Sequence, residues 1–261
     1  MESNELKIVL LQQDLHWENV PANLLHFESL IYGLNQKVDL IMLPEMFTTG
    51  FSMQPEKFAL NNQEQTLKTL KKWATDKDVA ICGSIMAAID GVYFNRFFWV
   101  NPSGDFQFYD KAHLFRMGEE QLHYSKGTAH QLINYKGWKI APFVCYDLRF
   151  PIWMRRTKVF NYDLILLVAN WPERRASHWK ALTLARAIEN QCYLAAVNRV
   201  GLDITSINHS GDSRVINPMG ELVFDAKDSK ELTIVSLDKS VVENYRQQFP
   251  VQEDADAFEL L

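Results

Sequence analysis

The sequence is poor in the features that mark several large classes of protein. Of 261 residues only three are cysteine, at positions 82, 145 and 192. An odd count with no metal-type spacing argues against a disulfide framework and against a zinc site. None of the seven histidines stands in an H-x-x-x-H or H-E-x-x-H arrangement, so no metal is expected. No stretch approaches the roughly 20 apolar residues of a membrane span. The start, MESNELKIVLLQQ, sets Glu2 and Glu5 before a short apolar run, whereas a signal peptide opens on a basic region and a longer one. There is no long Lys/Arg run and the net charge is −5, which argues against nucleic acid and anionic membranes as partners. Walker and dinucleotide glycine patterns, G-x-S-x-G and a cysteine–histidine protease signature are all missing. These absences together point to a hydrolase without cofactors, at home in a reducing cytoplasm where a reactive thiol stays usable.

What is present is ordinary globular material, 47% hydrophobic and 23% charged. Short apolar runs rich in β-branched residues predict buried strands at Leu6–Leu11, Asp39–Leu43, Val79–Met86, Gly137–Val144, Asp163–Ala169, Gln191–Asn198 and Leu232–Leu237. Helical spacing of apolar residues falls between some of them, at Pro21–Leu34, Gln63–Thr75 and Ser177–Asn190. Such alternation predicts α/β architecture. Val92–Val100, Phe106–Tyr109 and Leu132–Tyr135 read as strands without intervening helices. Arg214–Phe224 repeats that pattern around the turn Asn217-Pro218-Met219-Gly220-Glu221. A mixed sheet, or two sheets, within one domain over 1–261 is expected. The acidic, aromatic tail 243–261 packs either on its own body or on a partner subunit.

Four places break the apolar pattern in a chemically useful way. Glu45 follows the strand ending at Leu43; partial burial there raises a carboxyl's pKa towards that of a general base, although strand ends often carry charge into a solvated loop. Lys111 follows an aromatic strand and is either a surface lysine or a fixed positive charge for a developing oxyanion. Cys145 closes the run Ile140–Val144 and is followed at once by polar residues, the strand-then-turn setting of an exposed nucleophile. Cys82 and Cys192, inside apolar runs, read as small core residues. Glu119 and Glu120 lie in a charged segment that either orients the site or is only a loop.

Leu-Pro-Glu45, Asp-Lys111-Ala-His-Leu and Cys145-Tyr-Asp-Leu-Arg-Phe, in this order along the chain, resemble the signature of the nitrilase superfamily. The resemblance runs from Lys7-Ile8-Val9 to Arg214-Val215-Ile216-Asn217-Pro218 and Gly220. The chain is most similar to bacterial omega-amidases, through Leu43–Phe51, His113–Met117, Ala169-Asn170-Trp171-Pro172, His178-Trp179 and Ala185–Gln191. The resemblance implies a four-layer α-β-β-α sandwich that forms a homodimer or larger assembly. It implies Cys145 as nucleophile, Glu45 as base, Lys111 and the backbone N–H of Tyr146 at the oxyanion, and hydrolysis of the terminal amide of 2-oxoglutaramate or 2-oxosuccinamate. The second glutamate maps to Glu120, because Tyr124 and Gly127 then stand four and seven residues on. The far carboxylate of such a small-molecule substrate calls for a cation. Arg116, Arg149, Arg174 and Arg175 are candidates, with Phe51, Tyr146 and Trp171 as candidate walls. Other branches of the superfamily (nitrilases, carbamoyl-amide hydrolases, deaminated glutathione amidases) share the same four residues, and so would an inactive scaffold on this fold.

Overall fold

The computed structural model describes residues 4–258. Glu2 and the last three residues of the acidic tail, on which parts of the terminal readings rest, lie outside them. Along the chain the strands are β1 (Glu5–Gln12), β2 (Leu40–Met42), β3 (Ala80–Ile89), β4 (Val92–Val100), β5 (Phe106–Asp110), β6 (Ile133–Tyr135), β7 (Trp138–Val144), β8 (Leu164–Val168), β9 (Tyr193–Val197), β10 (Val200–Leu202), β11 (Asn208–Ser210), β12 (Arg214–Ile216), β13 (Leu222–Asp225) and β14 (Glu231–Asp238). The α-helices are α1 (Val20–Gly33), α2 (Pro55–Lys77), α3 (Glu120–His123), α4 (Pro151–Met154), α5 (Ala176–Asn190) and α6 (Lys239–Gln248).

Two six-stranded sheets form, ordered β14-β1-β2-β3-β4-β5 and β13-β12-β9-β8-β7-β6. Each has three neighbouring parallel strands, β1-β2-β3 in one and β7-β8-β9 in the other, flanked by antiparallel ones. A parallel step needs a crossover, and α1, α2 and α5 supply three of the four. The period-two alternation of the strands decides the layers. Leu6, Ile8 and Leu10 of β1, with Phe97 and Trp99 of β4, join a core shared with Ile140, Phe143 and Leu164 of the second sheet. Val9, Leu11, Phe98 and Val100 point the other way, onto Phe27 and Ile31 of α1 and Leu70 and Trp73 of α2. The first core continues to Trp179 and Ala187 of α5. The result is the α-β-β-α sandwich, and sheets covered on both faces explain why their strands read as unbroken apolar runs.

The structure departs from the sequence reading in three places. Helix α2 starts at Pro55, eight residues before the expected Gln63: Pro55 sits in the first turn, where its fixed φ suits a helix, and Phe58 and Ala59 add buried contacts one turn in. The hairpin β10–β11 was not expected, since its strands are three residues long and partly polar. A helix at Lys239–Gln248, α6, was not expected, and the described part of the tail, which begins within it, lies against its own body. Arg246 donates from Nη1 to Asp163 (3.1 Å), from Nη2 to the Tyr162 carbonyl (2.6 Å) and from Nε to the Gln191 carbonyl (2.9 Å). Among the described residues no helix is long and apolar enough to cross a membrane.

Because three hydrogen bonds from one guanidinium join α6 to the ends of β8 and β9, Arg246→Ala is expected to lose about 1.5–3 kcal/mol, the range for bonds to a charged group. A thermal melt of the variant should show a Tm several degrees lower; an unchanged Tm would mean that the other contacts of α6 hold it without these three bonds.

Candidate active site

Strands from both sheets aim their C-terminal ends at one place, where open α/β sheets bind ligands. Glu45 follows β2, Lys111 follows β5, Cys145 follows β7 and Asn170 follows β8. Glu45, Lys111 and Glu120 are at most 1% exposed. Lys111 Nζ donates to Glu45 Oε1 at 2.8 Å and to Glu120 Oε1 and Oε2 at 3.0 and 2.9 Å. Asn95, in the middle of β4, has Nδ2 between the same two carboxylates, 2.8 Å from Glu45 Oε1 and 3.1 Å from Glu120 Oε1. Its Oδ1 accepts from Ser84 Oγ, and its carbonyl accepts the Lys111 backbone N–H. Glu120 Oε2 also takes the Phe115 N–H at 2.6 Å. Glu119 is exposed, in the left-handed conformation just ahead of α3, so the structure places Glu120 rather than Glu119 beside Lys111.

Gly127 explains one feature of the spacing. A Cβ there would meet the Asp110 carbonyl at 2.0 Å, and its N–H donates to the Lys111 carbonyl at 2.9 Å. Only glycine lets the chain press against the backbone that carries Lys111.

Cys145 adopts φ +42°, a left-handed conformation that costs a non-glycine residue on the order of 1–3 kcal/mol and recurs at functional sites. It opens a 3₁₀ turn, Cys145–Arg149. Its thiol lies close enough to Glu45, Lys111 and the Asn170 backbone for all three to act on its titration. The second Glu45 oxygen accepts the Asn170 N–H at 2.7 Å, and Asn170 Nδ2 donates back to the Glu45 carbonyl. Burial, and then the charge of Glu45, push the thiol pKa well up, while Lys111 pulls it down. The resting sulfur is therefore protonated, with a carboxylate in place to take the proton. Burial pulls the Lys111 pKa down, but Glu120 and Glu45 more than reverse this, so the ammonium stays charged. Burial raises the Glu120 pKa, Lys111 opposes the rise and Glu45 adds to it.

A cavity of about 580 Å³ opens onto Cys145 and Lys111. Phe51, Tyr146, Arg149, Trp171, Arg174 and Arg175 all line it. Arg116 does not: it is exposed, at the start of the short turn Arg116–Gly118, and so is removed from the candidates. Arg149 lies over the Trp171 ring (4.8 Å) and Arg175 over Phe115 (5.1 Å). Among the described residues none of Arg149, Arg174 and Arg175 forms an ion pair. Burial and the two neighbouring arginines lower the Arg175 pKa. Sequence reasoning missed Asn95, whose only signal is an amide amid the aromatics of β4. It also missed Arg199, which is buried in the cavity wall and paired with Asp14 at 2.8 Å. His209 lines the same wall, its pKa pushed down to about 4 by burial and Arg199. Among the described residues no group of three or more His, Cys, Asp or Glu is arranged to hold a metal ion.

A carboxylate, an ammonium and a second carboxylate grouped around a thiol is a constellation for acyl transfer from an amide. The carbon-nitrogen hydrolase family model matches residues 7–247, and the chain belongs to that family. It is 46% identical over 257 residues to the omega-amidase YafV of Escherichia coli K12, covering 98% of both chains. It is 30% identical over 250 residues to the 2-oxoglutaramate amidase of Bacillus subtilis, covering 95% of this chain and 96% of that one. Among solved structures it matches XC1258 from Xanthomonas campestris, a CN-hydrolase superfamily protein with an arsenic adduct in its active site. That match has a TM-score of 0.95 and 38% identity, over 98% of this chain and 99% of that one.

Removing the cation would leave two buried carboxylates facing each other. Lys111→Met is expected to cost about 3–5 kcal/mol, as breaking a buried ion pair does. The loss should depend on pH. Glu120 titrates above its ordinary 4.5 in the fold, so the stability linked to its proton is fully present below that value and is lost as pH rises through the folded pKa. The variant removes the opposing charge and raises the folded pKa further. Urea melts should therefore show a larger deficit against wild type at pH 8 than at pH 5; an equal deficit at both would mean the carboxylates are hydrated.

Proposed function

We propose that the protein is an omega-amidase, cleaving the terminal amide of a dicarboxylic keto acid such as 2-oxoglutaramate or 2-oxosuccinamate to the acid and ammonia. The observation that carries this reading is the buried Glu45–Lys111–Glu120 set against Cys145, in a cavity where, among the described residues, Arg149, Arg174 and Arg175 have no carboxylate to pair with. The names and the end-to-end similarity of the relatives support the same chemistry.

Glu45 takes the proton of Cys145, and the sulfur attacks the amide carbon. The C=O electrons move onto oxygen, where Lys111 and the backbone N–H of Tyr146 receive the charge. As the tetrahedral intermediate collapses, the C–N bond breaks and Glu45 returns the proton to nitrogen, releasing ammonia and leaving a thioester. Glu45 then takes a proton from water; hydroxide adds to the thioester, the C–S bond breaks, Glu45 gives that proton back to the departing sulfur, and the acid leaves. Lys111 lowers the free energy of both thiolate and oxyanion, since both carry negative charge beside it. Glu120 holds Lys111 in place. Arg149 and Arg175 receive the substrate's far carboxylate, with Phe51, Tyr146 and Trp171 as walls and Arg174 towards solvent. The functional unit is a single carbon-nitrogen hydrolase domain over 1–261, working in the cytoplasm as a homodimer or larger assembly.

Ammonia release from 2-oxoglutaramate should be fast for the wild type and lost in Cys145→Ala, with glutamine, asparagine and a simple nitrile turned over poorly. Release that survives in Cys145→Ala would overturn the mechanism, and a preference for the nitrile would overturn the substrate. Loss of a charged hydrogen bond of about 1.5–3 kcal/mol corresponds to roughly ten- to hundredfold in affinity. Arg175→Leu should raise KM for 2-oxoglutaramate by that much while leaving KM for a neutral amide nearly unchanged. Equal effects on the two substrates would remove Arg175 from the carboxylate site.

A further inference from the structure

Asp147 is fully buried, two residues beyond Cys145, and the reaction above does not use it. An isolated carboxylate in such a place is costly, and here it is met by partners from three residues in two segments of the chain. Its Oδ2 accepts the Val144 N–H at 3.0 Å and the Tyr109 hydroxyl at 2.7 Å. Its Oδ1 accepts the His113 N–H at 3.0 Å and lies 2.8 Å from His113 Nδ1. The positions of these partners are informative. Tyr109 and His113 stand two residues before and two residues after Lys111, and Val144 immediately precedes Cys145. One carboxylate therefore grips the lysine segment on both sides and ties it to the strand end that presents the thiol. The grip is itself braced. Trp153 Nε1 donates to the Tyr109 oxygen at 2.9 Å, and the His113 ring stacks on Phe150 with centroids 3.7 Å apart and planes nearly parallel. Burial and the Asp147 charge push the Tyr109 pKa well up, which keeps the phenol protonated and donating.

We propose that Asp147 is a positioning residue, the clamp that sets the distance between the Lys111 ammonium and the Cys145 sulfur. This rests on the assignment of those two residues above, but not on the identity of the amide. Lys111 itself reaches Cys145 from a different strand and a different sheet, so without a tie the two backbones have only side-chain contacts near the site to fix their register. A carboxylate suits the task better than an amide, because both of its oxygens accept. In Asp147→Asn the NH₂ group can accept from neither pair of donors, and one segment must let go.

The test uses the full-length protein with whichever amide the wild type turns over best. Asp147→Asn is expected to lower kcat about ten- to hundredfold, the scale of a misplacement near 1 Å, with KM little changed. A second readout does not involve substrate at all. Lys111 lowers the thiol pKa, so moving it away should shift the pH midpoint of Cys145 alkylation by iodoacetamide upward. Tyr109→Phe removes a single donor and leaves the carboxylate in place. It should give a smaller kcat loss and a shift in the same direction, which keeps the proposal testable if Asp147→Asn fails to fold. A folded variant with a lowered Tm but wild-type kcat and alkylation profile would overturn the proposal, leaving Asp147 a purely structural residue. An upward shift in alkylation midpoint would support the clamp even if 2-oxoglutaramate proved not to be a substrate.

Discussion

One buried ammonium holds this site together. Lys111 lies between Glu45 and Glu120, and all three side chains are at most 1% exposed. That arrangement is stable only because the remaining lone pairs are also used: by the amide of Asn95, by the Phe115 N–H and by the Asn170 N–H. Its place beside the sulfur is what makes Glu45 useful. It sits beside a thiol whose pKa burial has already raised, so the proton is held on sulfur at rest and has one short route off it. A single added charge on the substrate oxygen can then be accommodated by moving the balance of the ammonium from carboxylate to oxyanion, with no new ion brought in.

The double sheet is the means of assembling these groups. Glu45 and Lys111 come from the first sheet, Cys145 and Asn170 from the second, and the core that the sheets share fixes their separation. Glu45 and Asn170 are 125 residues apart in sequence, yet exchange two hydrogen bonds. Packing at the centre of the molecule and geometry at its edge are thus one problem: a shift of one sheet over the other would open the contact between thiol and base.

What could be read from the sequence follows from the same physics. Strands buried on both faces declare themselves as apolar runs, so β1, β3, β7, β8 and β9 were legible, and polar residues directly after such runs exposed Glu45, Lys111 and Cys145. The turn at Asn217 was legible because its chemistry is local: the Asn217 side chain accepts the N–H groups of Met219 and Glu221. Asn95 was hidden because its partners lie 25 and 50 residues away. Arg199 was hidden because pairing with Asp14, 185 residues distant, is what permits a buried guanidinium. Arg116 misled because adjacency to a motif says nothing about which way a turn faces. The hairpin β10–β11 has too few residues for any periodicity to register.

The unpaired arginines of the cavity bear on the end of the reaction as much as on its start. Hydrolysis of an omega-amide of a keto acid converts a monoanion into a dianion, while the nitrogen leaves as a small neutral molecule. A wall that attracts one negative charge attracts two more strongly, so each turnover ends with the cavity holding a guest better matched to its charge than the one it admitted. Ammonia and acid then leave by different rules, the first by diffusion and the second against an electrostatic pull. Ions in the medium weaken that pull. The same field that selects the substrate thereby couples the speed of the enzyme to the ionic strength around it.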